Sequence, residues 1–115
     1  MAVTKAYFML MVADMDRAVA FYRDAVGLAL RFQSPEWTEL SWGEAFIALH
    51  GGRPDSERAH TGLGFEVDDL DGFVGSLSAA GAAVVMPPSN RPGEPIRLAT
   101  IADPDGNVFN LAQPS

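Results

Sequence analysis

Val12-Ala13-Asp14-Met15-Asp16 and Val67-Asp68-Asp69-Leu70-Asp71 open the two halves of this 115-residue chain in the same way. Positions 12 and 67 are 55 residues apart, and at that offset Asp14 matches Asp69, Met15 matches Leu70, Asp16 matches Asp71 and Val19 matches Val74. The match closes at Gly27 and Gly81, 54 apart. An offset near half the chain length marks two copies of one supersecondary unit, neither able to bury its apolar face alone. Pairing two curved units also makes a concavity between them, the natural place for a site.

Outward from these two stretches the same order of elements unfolds twice. Residues 6–12 are apolar and aromatic and read as a buried strand. Asp14 or Asp16 caps the following helix, whose stripe is Met15, Ala18, Val19, Tyr22, Ala25 and Val26, and Gly27 supplies its left-handed stop. Strands follow at 28–32, 38–42 and 45–49, the last two joined through Gly43-Glu44. Residues 51–60 form a polar, turn-rich linker. The second copy then gives a strand over 63–67 and a helix over 69–80 with the stripe Leu70, Phe73, Val74, Leu77 and Ala80, stopped by Gly81. Strands at 83–86, 96–102 and 108–112 complete it, with a turn-rich loop at 87–95. The expected fold is α+β: one domain over 1–115, with two tandem βαβββ modules (about 4–50 and 61–113). Together they form a curved, largely antiparallel eight-stranded sheet around a cleft.

Composition removes several functions. The net charge is −7, and the eight basic residues are scattered, so neither nucleic acid nor an anionic membrane finds a basic footprint. With no cysteine there is no disulfide, thiolate nucleophile or Cys-held metal. The first residues lack the pattern of a secretory signal and residues 6–13 are too few to span a bilayer, which points to the cytoplasm. No phosphate-cradling glycine loop followed by Lys and no nucleophile elbow is present.

Three stretches carry a family resemblance. Phe21-Tyr22-Arg23-Asp24-Ala25-Val26-Gly27 resembles the end of the first helix in the vicinal oxygen chelate superfamily, with Val26 in place of the usual Leu. Phe65-Glu66-Val67-Asp68-Asp69-Leu70-Asp71 resembles the start of its second module, and Asp103-Pro104-Asp105-Gly106-Asn107 its last turn. That superfamily includes glyoxalases, extradiol dioxygenases, epimerases, fosfomycin-modifying enzymes and bleomycin-resistance proteins. Alone, each stretch is a cap, a core aromatic run or a turn.

The resemblance implies where a divalent metal would be held: on the first and last strand of each module, by His, Glu or Gln. Here those positions hold Tyr7, Ala48, Gly62 and Asn110. Asn is a weak oxygen donor and Ala and Gly offer no side chain, so no metal and no other cofactor is expected. A shifted set from His50, His60 and Glu66, with Asn110, is the weaker alternative. The inward parity of the strands instead gives Tyr7, Met9, Met11, Phe46, Ala48, Gly62, Gly64, Glu66 and Asn110, with Trp37 and Trp42 nearby and Arg97 able to orient a polar group. Rings, soft sulfur and small residues suit a flat or bulky organic guest. The expected function is therefore metal-free sequestration of a hydrophobic or aromatic compound, such as an antibiotic or biosynthetic intermediate. By resemblance to the bleomycin-resistance branch, the expected assembly is a homodimer. The competing reading is a metal-dependent lyase, isomerase, epimerase or dioxygenase. A third is a metal-free enzyme with Glu66 or His60 as acid or base, for which a carboxyl buried among aromatics would be the signature.

Overall fold

The computed structural model describes residues 1–53 and 57–114. Pro54, Asp55, Ser56 and Ser115, and with them the middle of the expected linker, lie outside the described residues. Module 1 runs β1 (Tyr7–Val12), α1 (Met15–Ala20), a π-helical continuation of α1 (Phe21–Val26), β2 (Ala29–Gln33), β3 (Trp37–Trp42) and β4 (Ala45–Gly51). Module 2 runs β5 (Ala59–Glu66), α2 (Leu70–Ala79), β6 (Ala83–Asn90), β7 (Ile96–Ala102) and β8 (Asn107–Pro114). The α+β class and the doubled β-α-β-β-β order are as expected. The eight strands fall into two four-stranded sheets, ordered β1-β4-β3-β2 and β5-β8-β7-β6. Each is mixed, because β1–β4 and β5–β8 pair in parallel while the remaining pairs are antiparallel.

The repeated phrase does the same work twice. Asp14 accepts a hydrogen bond from the Arg17 backbone N–H at 3.1 Å, and Asp69 accepts one from Gly72 N–H at 3.1 Å. These bonds satisfy donors that the first helical turn cannot pair internally. Gly27 and Gly81 then end the helices at φ 94° and 104°, a backbone region that side chains with a Cβ avoid.

Alternate strand residues face the helices and form one core across both modules. Leu10, Val12, Leu40, Ile47 and Leu49 of the first sheet join Leu63, Ile101, Phe109 and Leu111 of the second, with Val19, Tyr22, Leu70 and Leu77 from the helices. The opposite, helix-free faces carry the candidate site.

Two strand ends lie four residues beyond expectation, and the others fall within two. β6 extends through Pro87-Pro88 to Asn90, over residues expected as loop. It is the edge strand of its sheet and its register shifts between Met86 and Ser89, so the missing proline N–H groups cost no ladder bond. β5 begins at Ala59, inside the expected linker, and its register with β8 shifts between His60 and Gly64.

Candidate functional site on the helix-free faces

Register lays out the first face. Tyr7, Met9 and Met11 of β1 stand beside Phe46, Ala48 and His50 of β4, and these beside Ser41, Glu39 and Trp37 of β3. Trp37 meets Tyr7 edge-on with ring centroids 5.7 Å apart, and His50 edge-on at 6.0 Å. Such T-shaped contacts set the positive edge of one ring against the electron-rich face of the next. His50 Nδ1 lies 2.9 Å from the Gly51 carbonyl, which can only accept, so Nδ1 is the donor. Ala48, small and in register between Met9 and Glu39, is fully buried.

Sequence reading passed over Glu39 and Lys5. The Glu39 carboxylate accepts from Lys5 Nζ through Oε1 and from the Trp37 indole N–H through Oε2, the latter at 2.9 Å. The Lys5 hydrogen bond first, and the indole second, hold the Glu39 carboxyl below the usual carboxylate range. The same ammonium sits 4.3 Å from the centroid of the Phe46 ring. Strict alternation of Trp37, Glu39 and Ser41 was the available signal.

The second face carries smaller side chains. Gly64 and Glu66 of β5 stand beside Asn110 and Ala112 of β8, which stand beside Thr100 and Leu98 of β7. Met86, Ser89, Leu98, Thr100 and Asn110 line a hollow of about 440 Å³. Thr100 Oγ1 donates to Asn110 Oδ1 at 3.1 Å, which leaves the Asn110 amide N–H groups for a guest. A larger hollow of about 610 Å³, beside Asp14, Met15, Gln33 and Pro35, is lined by none of the expected site residues.

Three expected residues stand apart from these faces. Trp42 has the parity of buried Leu40 and lies on the helix side, where it remains 70% exposed. Arg97 pairs in register with Gln113 and donates to Asp71 at the start of α2 at 2.8 and 3.2 Å, so its charge is engaged on the helix side. Gly62 sits at φ 74° within the irregular stretch of β5, and His60 rather than Gly62 pairs with Val108. Glu66 is exposed at the end of its strand, where it lines an open hollow of about 400 Å³ with Trp42, Phe65 and Phe73.

The donor set does not suit a metal within one chain. Tyr7, Ala48, Gly62 and Asn110 offer one phenol and one amide oxygen, the amide oxygen already accepting from Thr100. His50 belongs to one sheet, His60 and Glu66 to the other. Among the described residues no three His, Cys, Asp or Glu side chains come together as a metal site.

A clasp between modules holds the two faces in relation. Tyr22 Oη donates to Asp103 Oδ2 at 2.6 Å, and Asp103 Oδ1 accepts the backbone N–H groups of Asp105 and Asn107. Asn107 Nδ2 reaches the Met11 carbonyl at 2.8 Å, and Asp105 Oδ1 takes Ala13 N–H and Arg17 Nη2. The turn at 103–107 therefore ties module 2 to the β1–α1 junction of module 1. No helix among the described residues is long and apolar enough to cross a membrane.

Comparison with known proteins agrees with this architecture. The model of the Glyoxalase/Bleomycin resistance protein/Dioxygenase superfamily matches residues 5–111. A probable lactoylglutathione lyase of Vibrio cholerae is 28% identical, over 91% of this chain and 86% of its own length. A putative glyoxylase, CFP32, of Mycobacterium bovis is 30% identical over 87% of this chain, which spans 40% of that protein. Among solved structures, a glyoxalase/bleomycin resistance protein/dioxygenase family enzyme from Burkholderia phytofirmans superposes with a TM-score of 0.81 at 22% identity, covering 95% of this chain and 97% of that one. The fosfomycin resistance protein FosX from Listeria monocytogenes gives 0.81 at 18%, covering 100% and 96%. At these identities the two structures speak to the fold alone.

Proposed function

Because the chain belongs to the Glyoxalase/Bleomycin resistance protein/Dioxygenase superfamily, we propose that it is a small-molecule-binding protein that sequesters a hydrophobic or aromatic compound without a metal. The observation that carries this reading is the ring surface of Tyr7, Trp37, His50 and Phe46, combined with Tyr7, Ala48, Gly62 and Asn110 where metal-dependent relatives would hold their ligands. A flat guest stacks on Trp37 and Tyr7, a contact worth about 1 kcal/mol per ring pair beyond area burial. Met9 and Met11 adapt to its outline, and the Asn110 amide orients a carbonyl or hydroxyl. We further propose that the protein works in the cytoplasm as a homodimer in which the first face of one chain closes over the second face of its partner.

The test uses the two tryptophans. In Trp42→Phe, Trp37 is the sole indole and its fluorescence reports the ring-lined face alone. Titration with a panel of aromatic antibiotics is expected to quench it and raise the melting temperature with at least one compound. No quenching and no thermal shift across the panel would overturn sequestration.

A metal-dependent lyase is the second reading, favoured by the similarity to proteins named probable lactoylglutathione lyase, in Vibrio cholerae, and lactoylglutathione lyase, in Haemophilus influenzae. It requires ligands from His50, His60, Glu66 and Asn110. Elemental analysis after dialysis against nickel, zinc, manganese and iron separates the readings: one tightly held ion per chain would favour the lyase.

A further inference from the structure

Glu39 is an unusual residue to find on an aromatic face. It stands in register between Ala48 of β4 and Phe32 of β2, with Trp37 two residues before it. Its side chain is 22% exposed. A carboxylate there is partly shielded from water by its neighbours and is a ready partner for a cation. The chain provides one. Lys5 reaches in from residues 1–6, which belong to no helix or strand, ion-pairs with Glu39 and lays its ammonium over the Phe46 ring. The receiving side is fixed independently of this visitor. Glu39 is held by the Trp37 indole, Trp37 by its edge contacts with Tyr7 and His50, and Phe46 by the β4 ladder. A ring face and an oriented carboxylate converging on one ammonium is the chemistry that recognises protonated amines and quaternary ammonium groups.

We propose that the face formed by Glu39, Trp37 and Phe46 is a binding site for organic cations, and that Lys5 is its resident occupant, displaced when the ligand's own cationic group enters. This rests on the binding function proposed above and names the chemical class of the guest: an aromatic compound bearing a fixed or protonated positive charge. An exposed Lys–Glu pair is ordinarily worth little. Here the pair shares its carboxylate with an indole and its ammonium with a ring, on the face where a guest is expected. The net charge of −7 draws cations to the whole molecule.

Calorimetric titration with N-methylquinolinium and with neutral quinoline tests this, because the two share a flat ring system and differ in charge. Lys5→Ala empties the site and is expected to bind N-methylquinolinium roughly tenfold more tightly than the native protein. Adding Glu39→Gln, which keeps an acceptor for the Trp37 indole, should reverse that gain while leaving quinoline affinity within about twofold. Equal affinity for the two compounds in all three proteins would overturn the cation site and leave hydrophobic sequestration standing. Failure of both compounds to bind even Lys5→Ala would overturn the cation site, while sequestration is decided separately by the antibiotic panel. A Lys5→Ala variant that only melts earlier, with unchanged preference, would assign Lys5 a structural role and sink the proposal.

Discussion

Tyr22 shows how one hydroxyl can serve the whole chain. It is fully buried, and burial first, then the neighbouring Asp103 charge, pushes its phenol well above the ordinary range, so it always donates. Burial raises the Asp103 carboxyl, while hydrogen bonds from Tyr22, Asn107 and Asp105 pull it part of the way back. With the folded value above the unfolded one, Asp103 favours folding most strongly below the ordinary carboxyl range, and that contribution is lost as pH rises through the folded value. Tyr22→Phe removes one of the bonds that favour the ionised form, so its cost grows as Asp103 ionises. We expect a loss of about 2 kcal/mol at pH 7, shrinking toward pH 4, in urea denaturation. A penalty that is the same at both pH values would mean that Asp103 does not ionise between them. Gly106 tests the same clasp sterically. At φ 88° an added Cβ would run into the Glu57 carbonyl oxygen, so Gly106→Ala should cost about 2–3 kcal/mol in the same measurement.

At the scale of elements, the features written locally were legible and those that depend on distant partners were not. The caps Asp14 and Asp69, the stops Gly27 and Gly81 and the Gly43 turn declare themselves within a few residues. Asp14→Ala and Asp69→Ala should each cost about 1 kcal/mol in thermal or urea melts, and equal losses would show that the repeated phrase is energetically as well as textually repeated. By contrast, no Gly or Pro lies among Phe21–Val26 to announce a π-helix. There both Gly27 and Leu28 donate to the Tyr22 carbonyl, and Phe21 and Tyr22 are both buried. That winding accompanies the contact of Tyr22 with Asp103, 81 residues away, which helical periodicity cannot express. The site divides in the same way. Alternation correctly grouped Tyr7, Met9, Met11, Phe46 and Ala48 on one face and Gly64, Glu66 and Asn110 on the other. It could not show that the irregular register of β5 sets His60 opposite Val108, that Arg97 would turn to Asp71, or that Lys5 would come in from outside the sheet. Trp42 was open to the same parity argument and fails it, standing with Leu40 on the helix side.

On the scale of the whole molecule, the doubled architecture leaves both helix-free faces with large apolar side chains in water. Tyr7 is 53% exposed, Met9 49%, Phe32 55% and Met86 58%, and register assigns all four to those faces. A monomer seldom leaves apolar side chains clustered in water without a partner for them. The ring-lined face belongs to module 1 and the hollow beside Asn110 to module 2, and none of Tyr7, Trp37 or Phe46 lines that hollow. Bringing two copies together would cover the exposed side chains and join rings to amide in one enclosure. Sedimentation is therefore expected to give twice the mass of the chain at micromolar concentration. Phe32→Glu together with Met86→Glu should return it to a monomer with unchanged far-ultraviolet circular dichroism, because both side chains are exposed and leave the core untouched. The same double variant should bind aromatic ligands at least tenfold more weakly, since each half-site would then face water. A native protein that sediments as a monomer while binding its ligand fully would place the entire site on one chain. The ring-lined face would then have to act alone, with Glu39 supplying its polar contact.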